Sequence, residues 1–142
     1  MHIPKDSNLN KEIVNYVNSN AIKRYSKEHK KSMDEAADVF KNLMIYLYIA
    51  EKCQEARCEL PITESIMEID NMWHIFLLFT KDYALFSQQY AGKFIHHSPF
   101  TDESNVIPET ERRANLRKCL NILVSEFGEE LMDAWYKDNK YA

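Results

Sequence analysis

Four side chains in this chain have the types and spacing to do chemistry together: Asp70, His74, His96 and His97. Asp70 and His74 stand four residues apart, so on a helix they share one face. Their neighbours, Ile66-Met67 and Met72 to Phe79, are mostly apolar. A carboxylate or imidazole buried there without partners costs several kcal/mol, so something must satisfy it. His96 and His97 follow Gly92 in a segment that Phe94 and Ile95 anchor to the core, and they are the candidate partners. One carboxylate with two imidazoles is the donor set of a two-His, one-carboxylate site for a divalent ion such as Zn, Fe or Mn. The alternative is a structural clip, in which Asp70 and His74 bond each other and Asp70 accepts backbone N–H groups from residues 92–99. The clip is the reading taken, because a single Asp-x-x-x-His lacks the ligand density of a specific metal motif; no other cofactor is expected.

Covalent catalysis has less support. Cys58 falls at an expected helix end, open to solvent, with no base placed beside it, and Cys119 lies next to a core stripe. The three cysteines, Cys53, Cys58 and Cys119, lack C-x-x-C spacing, so they read as reduced thiols rather than a disulfide framework or zinc finger. No Gly-rich phosphate loop, HExxH or GxSxG occurs. No catalytic residue is assigned.

The elements that position these residues are helices. With 142 residues the chain is expected to form one domain, 1–142, and two glycines and four prolines are too few turn residues for a sheet protein of this size. The expected class is all-α, five to six helices around a buried central helix at about residues 66–79. The 3–4-residue spacing of Ile13, Val14, Val17, Ala21, Ile22 and Tyr25 predicts a first helix over about 10–28. Ser32-Met33-Asp34-Glu35 reads as a capping box opening a second helix that runs to about residue 58. Pro61 breaks the chain, Thr63 or Ser65 can cap the central helix, and a short fourth helix from Thr80 ends at Gly92. Phe94 to Pro99 reads as extended and 101–105 as a polar loop; Pro108 starts a fifth helix ending at Gly128, and a sixth covers about 129–135. Residues 1–8 and 137–142 are expected to fray.

Charge narrows the partners. The net charge is −4, but residues 1–31 hold seven Lys/Arg against three Asp/Glu, leaving eleven against nineteen beyond. Lys23, Arg24, Lys27, Lys30 and Lys31 raise a nucleic-acid reading, which a solvated outer helix face explains better because no aromatics interleave with them. The longest apolar run, 75–79, is far short of the roughly 20 residues of a membrane span, and no signal-peptide pattern is present. The expected address is a bacterial cytoplasm, or a host cytosol reached without a cleaved leader. Eight tyrosines and Trp135 suggest aromatic contact area for a protein partner; a homo-oligomer stays open.

Asp70-Asn71-Met72-Trp73-His74-Ile75-Phe76, followed by Tyr83, Phe86, Gly92 and His97-Ser98-Pro99, resembles the D-x-x-W-H … Y … F … G … H-x-P core of small bacterial proteins related to the glycine-rich-domain-containing-protein-like group. The match spans about residues 61–99. It departs where many members carry a second histidine, here Phe76, and a cysteine, here Ser87, which removes two candidate ligands. The Lys- and Asn-rich composition is similar to that of Legionella proteins, and in size and helicity the chain is similar to a small effector that inhibits ubiquitin-deamidating and transglutaminating effectors. The missing catalytic motifs and the many aromatics point to a non-catalytic interaction protein that binds and inhibits or regulates a partner enzyme, as the similarity to that effector also implies; metal binding through Asp70, His74 and His96 or His97 is the alternative.

Overall fold

The computed structural model describes residues 8–97 and 108–136. Of the ends expected to fray, 1–8 and 137–142, all but Asn8 lie outside the described residues, as do the 101–105 loop and Ser98-Pro99. The described elements are helical, with no strand among them: a 3-10 turn at Lys11–Asn15, α1 Ser19–His29, α2 Met33–Glu55, a 3-10 turn at Glu64–Ile66, α3 Met67–Leu78, α4 Thr80–Ala91, α5 Glu109–Phe127 and α6 Glu129–Tyr136. The all-α class is as expected. The chain groups into two compact units, Met1–Tyr48 with Met67–Ile95 and Ile49–Ile66 with His96–Ala142.

In the first unit, the expected opening helix is two pieces. Asn10 Oδ1 accepts the Glu12 N–H at 2.9 Å and caps the 3-10 turn, and Asn18 Oδ1 accepts the Ala21 N–H at 2.9 Å and caps α1. Between them Tyr16 and Asn18 are extended. Two asparagines, a residue type that competes for backbone bonds, stand eight apart and thus divide one apolar stripe into two short helices. Val17 consequently leaves the stripe and is 67% exposed, while Ile13 stays fully buried. Asn18 also ties the break down from inside, since its Nδ2 donates to Asp82 on α4 at 3.0 Å.

The capping box forms as read. The Glu35 N–H donates to Ser32 Oγ and the Ser32 N–H to Glu35 Oε1, each at 3.1 Å. The Ser32 backbone bond holds the Glu35 carboxyl below the usual glutamate range. From this start α2 lays Phe40 against Phe76 of α3 at 5.5 Å and Tyr46 against Trp73 at 6.0 Å. Phe76 is the hub of the aromatic core, with Tyr16, Tyr83 and Phe86 rings also within 6 Å. α4 ends at Gly92, whose φ of 71° is left-handed. A Cβ there would also meet the Asn8 side chain at 2.6 Å, so the position takes only glycine.

In the second unit, α2 stops at Glu55 rather than 58, because Arg57 adopts a left-handed φ of 62° and the Cys58 N–H turns back to the Cys53 carbonyl at 2.8 Å. Lys118 of α5 donates to the Ala56 carbonyl at 2.6 Å and fastens this turn. Thr63 does not cap α3. Its hydroxyl donates to the Trp135 carbonyl at 3.3 Å, and Tyr136 donates to the Pro61 carbonyl at 2.7 Å, which docks α6 on the segment around Pro61.

Candidate functional site

α3 has two arcs. Ile69, Met72, Trp73, Ile75 and Phe76 are buried and carry the core expected of a central helix. At about 100° per residue, Met67, Asn71, His74 and Leu78 fall together on the opposite arc, with Asp70 at its edge. Met67 is 45% and Leu78 59% exposed. An apolar helix that is open on one side leaves a surface rather than a core.

Asp70 and His74 lie on that open arc. His74 Nε2 stands 3.7 Å from Asp70 Oδ2, with the imidazole 56% exposed and the carboxylate 16%. The expected burial is thus only partial for Asp70 and fails for His74, because position 74 points away from the Phe76 hub. A pair this open to water contributes about 0–1 kcal/mol. Asp70 and His74 belong to the first unit, whereas His96 and His97 open the second stretch of the other; His96 is exposed and His97 partly so.

A clip on the segment after Gly92 is formed by residues that the sequence reading passed over. The Trp73 indole N–H donates to the Tyr83 hydroxyl at 2.9 Å, and that hydroxyl donates to the Ile95 carbonyl at 2.6 Å. Tyr83 is fully buried and Ile95 nearly so. Phe94, expected to pin the segment with Ile95, is 45% exposed and meets the Tyr83 ring edge-on at 5.3 Å. The signal was present in the sequence: a Trp and a Tyr are the apolar residues that also carry a donor needing a buried partner.

The two departures from the resembled pattern also acquire a physical meaning. Phe76 lies two residues from His74, about 200° around the helix, so a histidine there would face the aromatic hub and not the Asp70–His74 arc. Ser87 is fully buried on α4, and its hydroxyl has no hydrogen-bond partner among the described residues.

Elsewhere in the first unit, the basic residues of α1 are partly matched by acids. Arg24 Nε pairs with Glu28 at 2.8 Å, and beyond the end of α1 Lys31 lines a cleft with Glu35, Asp38 and Glu68. Across both units Trp135 and five of the eight tyrosines, Tyr25, Tyr46, Tyr48, Tyr83 and Tyr136, are buried, whereas Tyr16 and Tyr90 are half-buried. Among the described residues the exposed large hydrophobic side chains are Val17, Met33, Met67, Leu78, Leu85 and Phe94.

In the second unit the sequence reading missed a cluster. Cys53, Cys58 and Cys119 are all buried, and their sulfur atoms lie within 4.8 Å of one another. Cys58, expected to be exposed, is only 7% exposed. Burial pushes its thiol up to about 11, helped by a hydrogen bond with Cys119. Cys119 is raised further, first by its bond with Cys53 and then by burial.

The described residues form an all-α protein in which α3 presents polar and apolar groups together on an exposed face. The chain belongs to the UCP032817-like family, whose profile matches residues 9–133. No curated protein and no solved structure matches it. Among the described residues no helix is long and apolar enough to cross a membrane.

Proposed function

We propose that this protein is a non-catalytic binding protein that docks the open arc of α3, with the adjoining face of α4, onto a protein partner. The exposed Met67 and Leu78 on either side of the Asp70–His74 pair carry the reading. Leu85, 63% exposed, lies one turn beyond Asp82, and Val17 precedes the Asn18 that bonds Asp82, so both extend the apolar surface near the α3–α4 junction. Fully burying a side chain of this size gains about 1.5–3 kcal/mol, and each here has about half of that left to gain. Three of them amount to about 3 kcal/mol, on the order of a hundredfold in affinity. Asp70 and His74 add directional polar contacts at the centre, the arrangement of an apolar patch with a polar component that interfaces favour. The similarity to a small Legionella effector makes a ubiquitin-deamidating or transglutaminating enzyme the first partner to try, with inhibition or regulation of that enzyme as the outcome.

The test is capture of a stoichiometric partner by the full chain, followed by titration of wild type, Leu78→Glu and Leu85→Glu against it. Each variant should weaken binding by at least tenfold while keeping the wild-type melting temperature, since neither side chain is in the core. Failure to recover any stoichiometric partner at low and moderate salt, or wild-type affinity in both variants, would refute the docking face.

A further inference from the structure

We propose that Cys53, Cys58 and Cys119 form a three-thiolate site for a copper(I) ion within the second unit. The placement is built by the fold and not by sequence spacing. Cys53 sits in the last turns of α2, the left-handed Arg57 returns Cys58 against it, and α5 brings Cys119 across with Lys118 anchored on the Ala56 carbonyl. Three sulfurs at the corners of a triangle with 4.8 Å edges stand about 2.8 Å from its centre, and a metal–sulfur bond is about 2.3 Å, so each thiol needs to close in by about 0.5 Å at most. Side-chain rotation covers that distance without moving a helix.

The donor set and its surroundings choose the ion. Thiolates are soft ligands and select Cu(I), Zn(II) or iron–sulfur chemistry over oxygen-loving cations. A structural zinc site closes with four protein ligands, and a catalytic one keeps an open position for water. Among the described residues no histidine or carboxylate joins these three sulfurs, and all three cysteines are buried. That leaves an ion satisfied by three sulfurs in a dry pocket, which a d10 monovalent cation is. Loading one Cu(I) onto three thiols forms three Cu–S bonds and releases three protons, with no change of oxidation state. The bound site keeps two negative charges, and the Lys118 ammonium, close enough to bias Cys58 and Cys119 toward the thiolate, offsets one. Because Cys58 and Cys119 hold their protons above the ordinary thiol range, binding must tighten as pH rises.

The experiment uses the full reduced chain under anaerobic conditions, offered Cu(I) as its bicinchoninate complex and then examined by native mass spectrometry and X-ray absorption. The expected result is one copper per chain, a mass lower by the displaced protons, a shell of three sulfurs, and affinity rising between pH 6 and pH 8, roughly the range over which a thiol site competes with protons. Cys119→Ala should weaken copper retention at least a hundredfold. Since the wild-type measurement decides the matter, a variant that folds poorly does not rescue the idea. Copper left entirely with bicinchoninate would overturn it, as would preferential retention of one zinc, or unchanged copper affinity in both Cys58→Ala and Cys119→Ala.

Discussion

Removing one oxygen atom, by Tyr83→Phe, tests the clip that holds the segment after Gly92. The hydroxyl is fully buried, accepts from Trp73 at 2.9 Å and donates to the Ile95 carbonyl at 2.6 Å. Phenylalanine keeps the ring contacts with Phe76 at 5.0 Å and Phe86 at 5.9 Å, so the aromatic hub is untouched. What changes is that an indole N–H and a backbone carbonyl lose this partner inside the protein, at about 1–3 kcal/mol for each stranded group. Some relaxation toward solvent through the half-exposed Phe94 is available, so the expected loss is about 2–4 kcal/mol, or a fall of roughly 6–12 °C in Tm. Urea titration read by tryptophan fluorescence gives the free energy, and the slope should match wild type because no additional surface is exposed in the variant. In a double-mutant cycle with Trp73→Phe, the two changes should be less than additive by about 1 kcal/mol, since both delete the same bond. A Tyr83→Phe loss below about 0.5 kcal/mol, within the range of ordinary surface changes, would show that the buried bonds do not hold this segment.

Restoring the resembled pattern by Phe76→His should damage the fold without creating a ligand. It places an imidazole in the aromatic hub and removes ring contacts with Tyr16, Phe40, Tyr83 and Phe86, at about 3–5 kcal/mol; thermal melts with and without added zinc should show the same loss, and zinc rescue would contradict the geometry. The thiol cluster predicts a one-sided pH response. The Cys58 pKa is raised on folding to about 11, so its contribution is fully present below the unfolded cysteine value, about 8.5, and is lost as pH rises toward 11. Urea midpoints should therefore decline across that alkaline window, and Cys58→Ala should flatten the decline; an equal decline in wild type and variant would exclude the thiol as its source.

The local pieces of this protein were legible in its sequence because they depend on local chemistry. The Ser32–Glu35 capping box, the helix stop at Gly92 and the start after Pro108 each follow from a residue acting within one turn. Apolar periodicity likewise identified the core arc of α3 through Ile69, Met72, Trp73 and Phe76. It also predicted one continuous opening helix, and failed there, because Asn10 and Asn18 cap two separate pieces and Asn18 is held by Asp82, 64 residues away. Which side of α3 stays open was equally beyond pattern: Met67 and Leu78 are as apolar as Met72, and only the placement of α1, α2 and α4 decides which of them meets water. Asp70 and His74 were recognised as unusual from their spacing, but their exposure was not, since burial is a property of what packs opposite. The cysteines show the limit most plainly. Cys53, Cys58 and Cys119 follow no motif along the chain, and they come together only because a left-handed residue at Arg57 reverses the chain and α5 crosses the turn so made. Spacing encodes chemistry when the ligands share one helix or loop; when they arrive from separate elements, the tertiary structure alone supplies the geometry.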